Sequence, residues 1–219
     1  MLIAIEGIDG SGKGTQAARL VETLKSEGTS AALFGFPRYS ETFFGARIGE
    51  FLNGRFGSLA DVHPFLAALM FAGDRWESKE VLADLLDRHD VVVLDRYVAS
   101  NVAHQACKRD GGERDELAAR ILQLEFDVYG LPRPDRVILL DIPAEISRTL
   151  VARKAKRDYT DSEADLQEAD GAYQHRVRTL YLELCERDPA WRKISVTDVT
   201  GALRSIEEIA REVRGCLQD

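Results

Sequence analysis

The sequence predicts an α/β fold, a doubly wound parallel sheet of five strands flanked by helices. Three observations carry that expectation. Strand-like runs alternate with helical patterns along the chain, which is how parallel sheets are built. One run, Val91-Val92-Val93-Leu94, is apolar on both faces, as a central parallel strand requires. A glycine-rich stretch, Gly7-Ile8-Asp9-Gly10-Ser11-Gly12-Lys13-Gly14-Thr15, joins the first strand to the first helix.

Bulk composition agrees. A chain of 219 residues with 45% hydrophobic and 30% charged content fits one domain over residues 1–219 with a sizeable core. The net charge of −8 argues against a partner that is a nucleic-acid polymer or a membrane surface. Cys107, Cys185 and Cys216 are far apart and have no metal-binding spacing, so reduced thiols are expected. The chain enters a strand at once, without a basic leader, and no window approaches a membrane span. The expected location is cytoplasmic.

The first strand, residues 2–6, leads into the glycine-rich stretch. Four residues separate Gly7 from the Gly12-Lys13 pair, which is phosphate-loop spacing. Glycines let successive backbone N–H groups curl around an anion, and the following helix adds its unpaired donors and positive dipole end. Lys13 would reach the outer phosphates as a mobile charge. Strand before and helix after, about 14–26, are the context that makes this a nucleotide phosphate site and the fold a P-loop NTPase fold. The second strand, 31–36, ends in Phe36-Pro37-Arg38-Tyr39, where proline favours extended backbone before it. Phe43, Phe44, Ile48, Phe51 and Leu52 form a helical apolar stripe, core or lid packing.

After His63-Pro64 one long helix is expected to about Arg88, with Leu66, Leu69, Met70 and Gly73 on its buried face. Phe71 and Arg75 are four apart and share another face. They could hold a flat heterocycle, by stacking and by hydrogen bonding. Alternatively Phe71 is core and Arg75 pairs at the surface with Asp74 or Glu77. The third strand, 91–95, ends in Asp95-Arg96-Tyr97. An acid at the tip of an apolar strand beside a phosphate loop has the placement of a Mg²⁺-side carboxylate, and Arg96 can bridge two phosphoryl groups. Ser100, Asn101, His104 and Gln105 then lie on one turn and a half of helix.

Leu117, Ile121, Leu124 and Val128 mark a further amphipathic helix whose apolar content exceeds what one sheet face needs, which suggests a subunit interface. The fourth strand, 137–141, is followed by a basic run holding Arg148, Arg153, Lys154, Lys156 and Arg157. It is either a solvated helix face or, beside a phosphate site, a closing lid over about 148–162. Asp165 and Glu168 open the next helix behind Ser162, a capping residue. The last strand, 193–196, leads through Asp198-Val199-Thr200, which could border a purine.

Together these parts resemble thymidylate kinases. The phosphate loop follows a Glu-Gly pair, and Phe-Pro-Arg-Tyr follows strand two. Phe71, Asp74 and Arg75 stand mid-chain, and Asp95-Arg96-Tyr97-Val98-Ala99-Ser100-Asn101 follows strand three. Gly130-Leu131-Pro132 with Pro134-Asp135 precedes strand four. Phe-Pro-Arg-Tyr with Asp9 looks most like the actinobacterial version. The resemblance implies phosphorylation of dTMP to dTDP, with ATP as donor and Mg²⁺ as cofactor, in dTTP biosynthesis by a homodimer. It implies that the loop Gly7, Ile8, Asp9, Gly10, Ser11, Gly12, Lys13, Gly14 and Thr15 holds ATP. Asp9 would touch the acceptor's 3′-hydroxyl side. Phe71 would stack on thymine, Arg75 bond its O4 and Asn101 its N3. Arg38, Tyr39 and Arg96 would bind the acceptor phosphate, and Phe36, Ser100, His104, Asp165 and Glu168 would complete the dTMP site. Asp9, Asp95 and Glu168 would lie on the metal side.

Two departures stand out. Gly14 replaces the Ser or Thr that usually follows the loop lysine and binds Mg²⁺, with Thr15 one place later. His104 stands where the family usually has Tyr or Phe beside the sugar 2′ position. Gly10 supplies no loop arginine, so Arg153 and Lys154 of the lid are the expected transition-state cations. The alternatives are another nucleoside monophosphate kinase, for UMP/CMP or AMP, and a nucleotide-regulated switch. The chain has no guanine-reading Asn-Lys-x-Asp, since Asn53 and Asn101 are its only asparagines.

Overall fold

The computed structural model describes residues 1–151 and 171–217; Arg153, Lys154, Asp165 and Glu168, with most of the expected lid, lie outside the described residues. Five parallel strands, β1 (Leu2–Glu6), β2 (Ala31–Gly35), β3 (Val91–Asp95), β4 (Arg136–Asp141) and β5 (Trp191–Ser195), lie in the order β2-β3-β1-β4-β5. β1 is buried along its whole length, as are Val91 to Leu94 of β3, which is why these segments carry apolar residues on both faces. The connection after β1 runs toward β2, whereas the connection after β3 crosses to β4. The two connections therefore diverge beyond the paired carboxyl ends of β1 and β3, a topological switch point, where ligands of such sheets bind.

The helices follow the sequence with informative exceptions. α1 (Lys13–Ser26) starts directly behind the loop and is tied to the last described helix by Gln16 Nε2, which donates to the Ile206 carbonyl at 3.1 Å. α2 (Phe43–Leu52) packs on α3 (Pro64–Glu77). The single long helix expected to Arg88 is in fact two, α3 and α4 (Lys79–Arg88). The break falls at Ser78, whose Oγ donates back to the Asp74 carbonyl at 2.8 Å and shares it with the Ser78 N–H at 3.2 Å, a bond that bends helices.

The buried face of α3 also differs from expectation. Leu66 is 57% exposed, and Ala67, Ala68, Ala72, Gly73, Asp74 and Arg75 face inward. Small residues are needed there because a Cβ on Gly73 would sit 2.6 Å from the Phe44 ring. α5 (Val98–Ala106) and α6 (Gly111–Leu122) follow, and α6 runs into a π-helical turn at Gln123–Val128. That turn exposes Val128 and brings Glu125 fully inside. α7 (Ala144–Val151), α8 (Gly171–Arg187) and α9 (Ile206–Gly215) complete the described residues.

Candidate active site

A cavity of about 380 Å³ opens at the switch point. Of the residues expected there, it brings together Asp9, Gly10, Gly12, Lys13, Gly14 and Thr15 from the loop, Phe36 and Tyr39 after β2, and Phe71 and Arg75 from α3. Asp95, Arg96, Ser100, Asn101 and His104 come from the end of β3 and from α5. Gly7, Ile8 and Ser11 form the inside of the loop and do not line the cavity. Neither does the loop at Asp198-Val199-Thr200, where Val199 is exposed.

The loop works through its backbone. Gly7, Gly10 and Gly12 all have φ between 78° and 143°, a region open mainly to glycine. Lys13 is buried and its Nζ donates to the Ile8 carbonyl at 2.7 Å, closing the loop on itself. A Cβ on Gly10 would meet the Ser147 carbonyl at 2.8 Å, and Ser147 Oγ donates to the Asp9 carbonyl. α7 therefore rests on the loop at the place where an arginine side chain would have to leave it.

Arg38 does not reach the cavity. Its guanidinium lies 4.8 Å from the Phe34 ring centre and pairs with Glu41 at 3.3 Å. Its backbone is what the site holds: Arg38 N donates to Asp74 Oδ2 at 3.0 Å, and Thr42 Oγ1 donates to Asp74 Oδ1 at 2.5 Å. Pro37 follows a cis peptide bond.

The base-side wall is an ion-pair network. Arg75, only 2% exposed, is paired through Nε and Nη2 with both oxygens of Glu125, the second at 2.7 Å. Burial opposes the Arg75 charge, but the adjacent Glu125 carboxylate outweighs it and raises the pKa. Arg75 thus pairs with neither Asp74 nor Glu77 at the surface. Asn101 Nδ2 donates to Glu125 Oε1 at 2.7 Å and to the Ala68 carbonyl at 3.0 Å. Its Oδ1 is buried without a hydrogen-bond partner among the described residues, and Asn101 is one of the residues lining the cavity. Asn101 itself was legible in the sequence; Glu125 was missed. Its signal was an acid four residues after Ile121, inside an apolar stripe.

A second buried acid, Glu6, was seen only as part of a Glu-Gly pair. Tyr97 N and Ser100 N donate to its Oε1 at 2.8 and 3.2 Å, and Ser100 Oγ and Tyr181 OH donate to its Oε2 at 2.6 and 2.9 Å. Burial raises its pKa, opposed by these bonds and by Arg96. Glu6 thereby caps the start of α5 and fixes the turn in which Arg96 holds φ 66°.

Arg96 pairs with Asp9 Oδ1 and donates through Nη1 to Ser100 Oγ at 3.1 Å. Gln174 Nε2 donates to Asp9 Oδ2 at 3.2 Å. Next to them, Tyr173 OH donates to the His104 carbonyl at 2.9 Å and so accepts from His104 Nδ1 at 3.0 Å. This assigns the proton to Nδ1 and leaves Nε2 as an acceptor. Burial, reinforced by Arg96, lowers the His104 pKa to about 3, so the ring is neutral.

Asp95 occupies the gap left by Gly14. A Cβ at residue 14 would fall 2.9 Å from Asp95 Oδ2, while Asp95 Oδ1 is buried without a partner among the described residues. An orphaned carboxylate oxygen beside a phosphate loop suits a hard cation. Asp9 is less available, because each of its oxygens already accepts a hydrogen bond.

Comparison with known proteins gives a consistent result. A family model described as thymidylate kinase matches residues 5–212. The thymidylate kinase of Mycobacterium tuberculosis is 38% identical over 184 residues, covering 84% of this chain and 85% of that one. The thymidylate kinase of Homo sapiens is 29% identical over 223 residues, covering 100% of this chain and 90% of its own. The solved structure of thymidylate kinase from Candida albicans superposes with a TM-score of 0.75 at 27% identity, covering 99% of this chain and 90% of that one.

Proposed function

This chain belongs to the thymidylate kinase family and phosphorylates dTMP to dTDP with ATP as donor, and we propose that its residues divide that work as follows. Residues 1–219 act as one domain with a lid over about 148–162. Thymine lies against Phe71, with Arg75 toward O4 and Asn101 Oδ1 accepting from N3–H. The carrying observation is the orientation of Asn101. With both protons of Nδ2 committed to Glu125 and Ala68, only an acceptor remains for the ligand. Thymine and uracil have a donor at N3; cytosine has none. An unpaired buried acceptor penalises the wrong base, and this kind of discrimination exceeds what apolar fit provides.

The acceptor phosphate's second pKa is about 6, so its attacking oxygen is already ionised at neutral pH. No general base is required. Lys13 and the loop backbone hold the donor phosphates, Arg96 bridges toward the acceptor phosphate with Tyr39, and Arg153 and Lys154 supply charge from the lid. Arg38, whose guanidinium lies on Phe34 and pairs with Glu41, would join them only by turning its side chain toward the cavity. Phe36 and Ser100 pack the sugar and phosphate side, and Asp9 faces the 3′-hydroxyl. His104 crowds the 2′ position, with its neutral Nε2 facing Arg96 Nη1 at 3.5 Å. Asp165 and Glu168 act near the acceptor.

Mg²⁺ would be held by Asp95 together with Asp9 and Glu168, and when bound it neutralises and bridges phosphoryl oxygens. We also read the protein as a cytoplasmic homodimer. Phe43, Leu66, Trp76 and Val128 support the dimer: all four are more than half exposed, on α2, α3 and the π-helical turn. Among the described residues no helix is long and apolar enough to cross a membrane.

The test is a coupled ADP-release assay over dTMP, dUMP, UMP, CMP and AMP. Wild type is expected to prefer dTMP, and Asn101→Ala to lose about 10- to 100-fold in kcat/KM for dTMP, the value of one buried hydrogen bond with its desolvation. Equal activity on CMP, or no loss in Asn101→Ala, would overturn the base assignment.

A further inference from the structure

We propose that Tyr173 is a positioning residue of the acceptor site: acting through His104, it holds the Arg96 guanidinium in the orientation that meets the acceptor phosphate. This rests on the reading above that Arg96 bridges toward that phosphate. It adds a side chain of α8 that does not itself line the cavity.

Arg96 carries only donors, so the acceptors around it set its direction. Nη2 pairs with Asp9 Oδ1, while Nη1 donates to Ser100 Oγ at 3.1 Å and lies 3.5 Å from His104 Nε2. Each of these three partners is braced by a different side chain of α8. Gln174 Nε2 donates to Asp9 Oδ2 at 3.2 Å. Tyr181 OH lies 2.9 Å from Ser100 Oγ, and both hydroxyls donate to Glu6 Oε2. Tyr173 OH holds His104 at both its Nδ1 and its carbonyl.

An ionised Asp9 oxygen can only accept, and the Ser100 proton is committed to Glu6. His104 is different. A neutral imidazole has one donor and one acceptor nitrogen, and the bond made by one decides what the other offers. With its proton on Nε2, the ring would aim a donor at a guanidinium that has nothing but donors. Tyr173 excludes that arrangement. Its single hydroxyl proton goes to the His104 carbonyl at 2.9 Å, so the oxygen offers only lone pairs to Nδ1 at 3.0 Å and draws the ring proton there. Nε2 is left to accept from Arg96. Packing fixes the place of the ring but not its tautomer: His104 meets the rings of both Tyr173 and Tyr181, with centroids 5.8 and 6.4 Å away. Phenylalanine at 173 would keep that packing. It would strand the Nδ1 proton, however, in a site where His104 is 5% and Tyr173 1% exposed, and an unpaired buried donor is costly. Moving the proton to Nε2 relieves that cost and turns the ring against Arg96.

The experiment compares wild type, Tyr173→Phe, His104→Phe, the double variant and Arg96→Met, each as the full chain. Calorimetric titration gives Kd for dTMP and for thymidine, which has the same base and sugar without the phosphate. Tyr173→Phe is expected to weaken dTMP about three- to tenfold, the value of one hydrogen bond, and to leave thymidine unchanged. In the His104→Phe background Tyr173→Phe should add nothing, because the tyrosine acts through the histidine. The tautomer is read separately from ¹⁵N spectra of the histidine rings, with His104 assigned by its absence from the His104→Phe spectrum. Wild type should carry the proton on Nδ1, and Tyr173→Phe should shift it toward Nε2. A wild-type proton on Nε2 overturns the inference without requiring any variant to fold. So does a Tyr173→Phe loss that falls on thymidine as well as dTMP, or one that persists in full in the His104→Phe background. If Arg96→Met weakens dTMP but not thymidine while Tyr173→Phe changes neither, the inference fails and the reading of Arg96 stands. If Arg96→Met binds dTMP as tightly as wild type, that reading fails and takes the inference with it.

Discussion

The base-side wall of the cavity and its phosphate floor are held in different ways. The wall is built from buried charges that satisfy one another: Arg75 with Glu125, Glu125 with Asn101, Glu6 with Ser100 and Tyr181. The floor is built from backbone, three positive-φ glycines and a lysine bonded to its own loop, and it keeps an orphaned carboxylate oxygen. A wall of compensated charge is rigid before ligand arrives and is part of the folded state's stability. A floor of backbone donors, with Ser11 Oγ and Asp95 Oδ1 unpaired among the described residues, is complementary to charge that only the substrates bring, whereas the wall leaves unpaired only the neutral Asn101 Oδ1. Selection of the base is thus tied to folding, whereas transfer is tied to rate.

The largest effect that could break this contrast is expected from Glu125→Ala. It strands Arg75 in the interior, and loss of one partner of a buried pair costs about 3–5 kcal/mol. Urea unfolding should show this together with a raised KM for dTMP, and an unchanged unfolding midpoint would show that the wall is not an ionic scaffold. Lys13→Ala probes the floor. A drop in kcat of about 10²–10³-fold is expected from losing one preorganised charge contact, with a thermal midpoint close to wild type. If calorimetry instead shows destabilisation like that of Glu125→Ala, the two regions do not differ as argued.

His104 gives the smallest effect and sharpens the boundary between the regions. Its pKa is about 3 when folded and about 6.5 when unfolded. Below pH 6.5 the unfolded chain takes up a proton that the folded chain refuses, so stability falls as pH drops through this window and is unaffected above it. Between pH 8 and 5 the loss is about 2 kcal/mol. His104→Phe should flatten the urea midpoint over that range and leave it unchanged near pH 8. The same variant should tighten the preference for dTMP over UMP. If the ratio of kcat/KM values does not move in His104→Phe or His104→Ala, the ring has no part in sugar selection.

Legibility in the sequence followed locality. The three central strands were readable because each is a short apolar run buried on both faces, whereas the edge strands β2 and β5, partly exposed, were readable from their place between helical patterns. The loop was readable because its spacing alone encodes the cradle. The split between α3 and α4 was not, since it depends on one serine hydroxyl turning back to Asp74. The inward face of α3 was misread because burial there follows the approach of Phe44 to Gly73, 29 positions away in sequence. Glu6 stood out in the sequence only as half of a Glu-Gly pair and Glu125 not at all, and the fold buries both completely.

By itself the sequence determined the sheet, the phosphate loop and the set of residues that converge on it, because these rest on local backbone chemistry and hydrophobic period. Tertiary structure alone decided which groups remain unpaired once the chain is folded. It committed Asn101 Nδ2 and left Oδ1, and it fixed the proton of His104 on Nδ1. It also set Asp95 into the space above Gly14. Hydrogen-bond capacity is finite and is divided among neighbours that sequence spacing does not reveal, so the chemistry offered to substrates is what the fold leaves over.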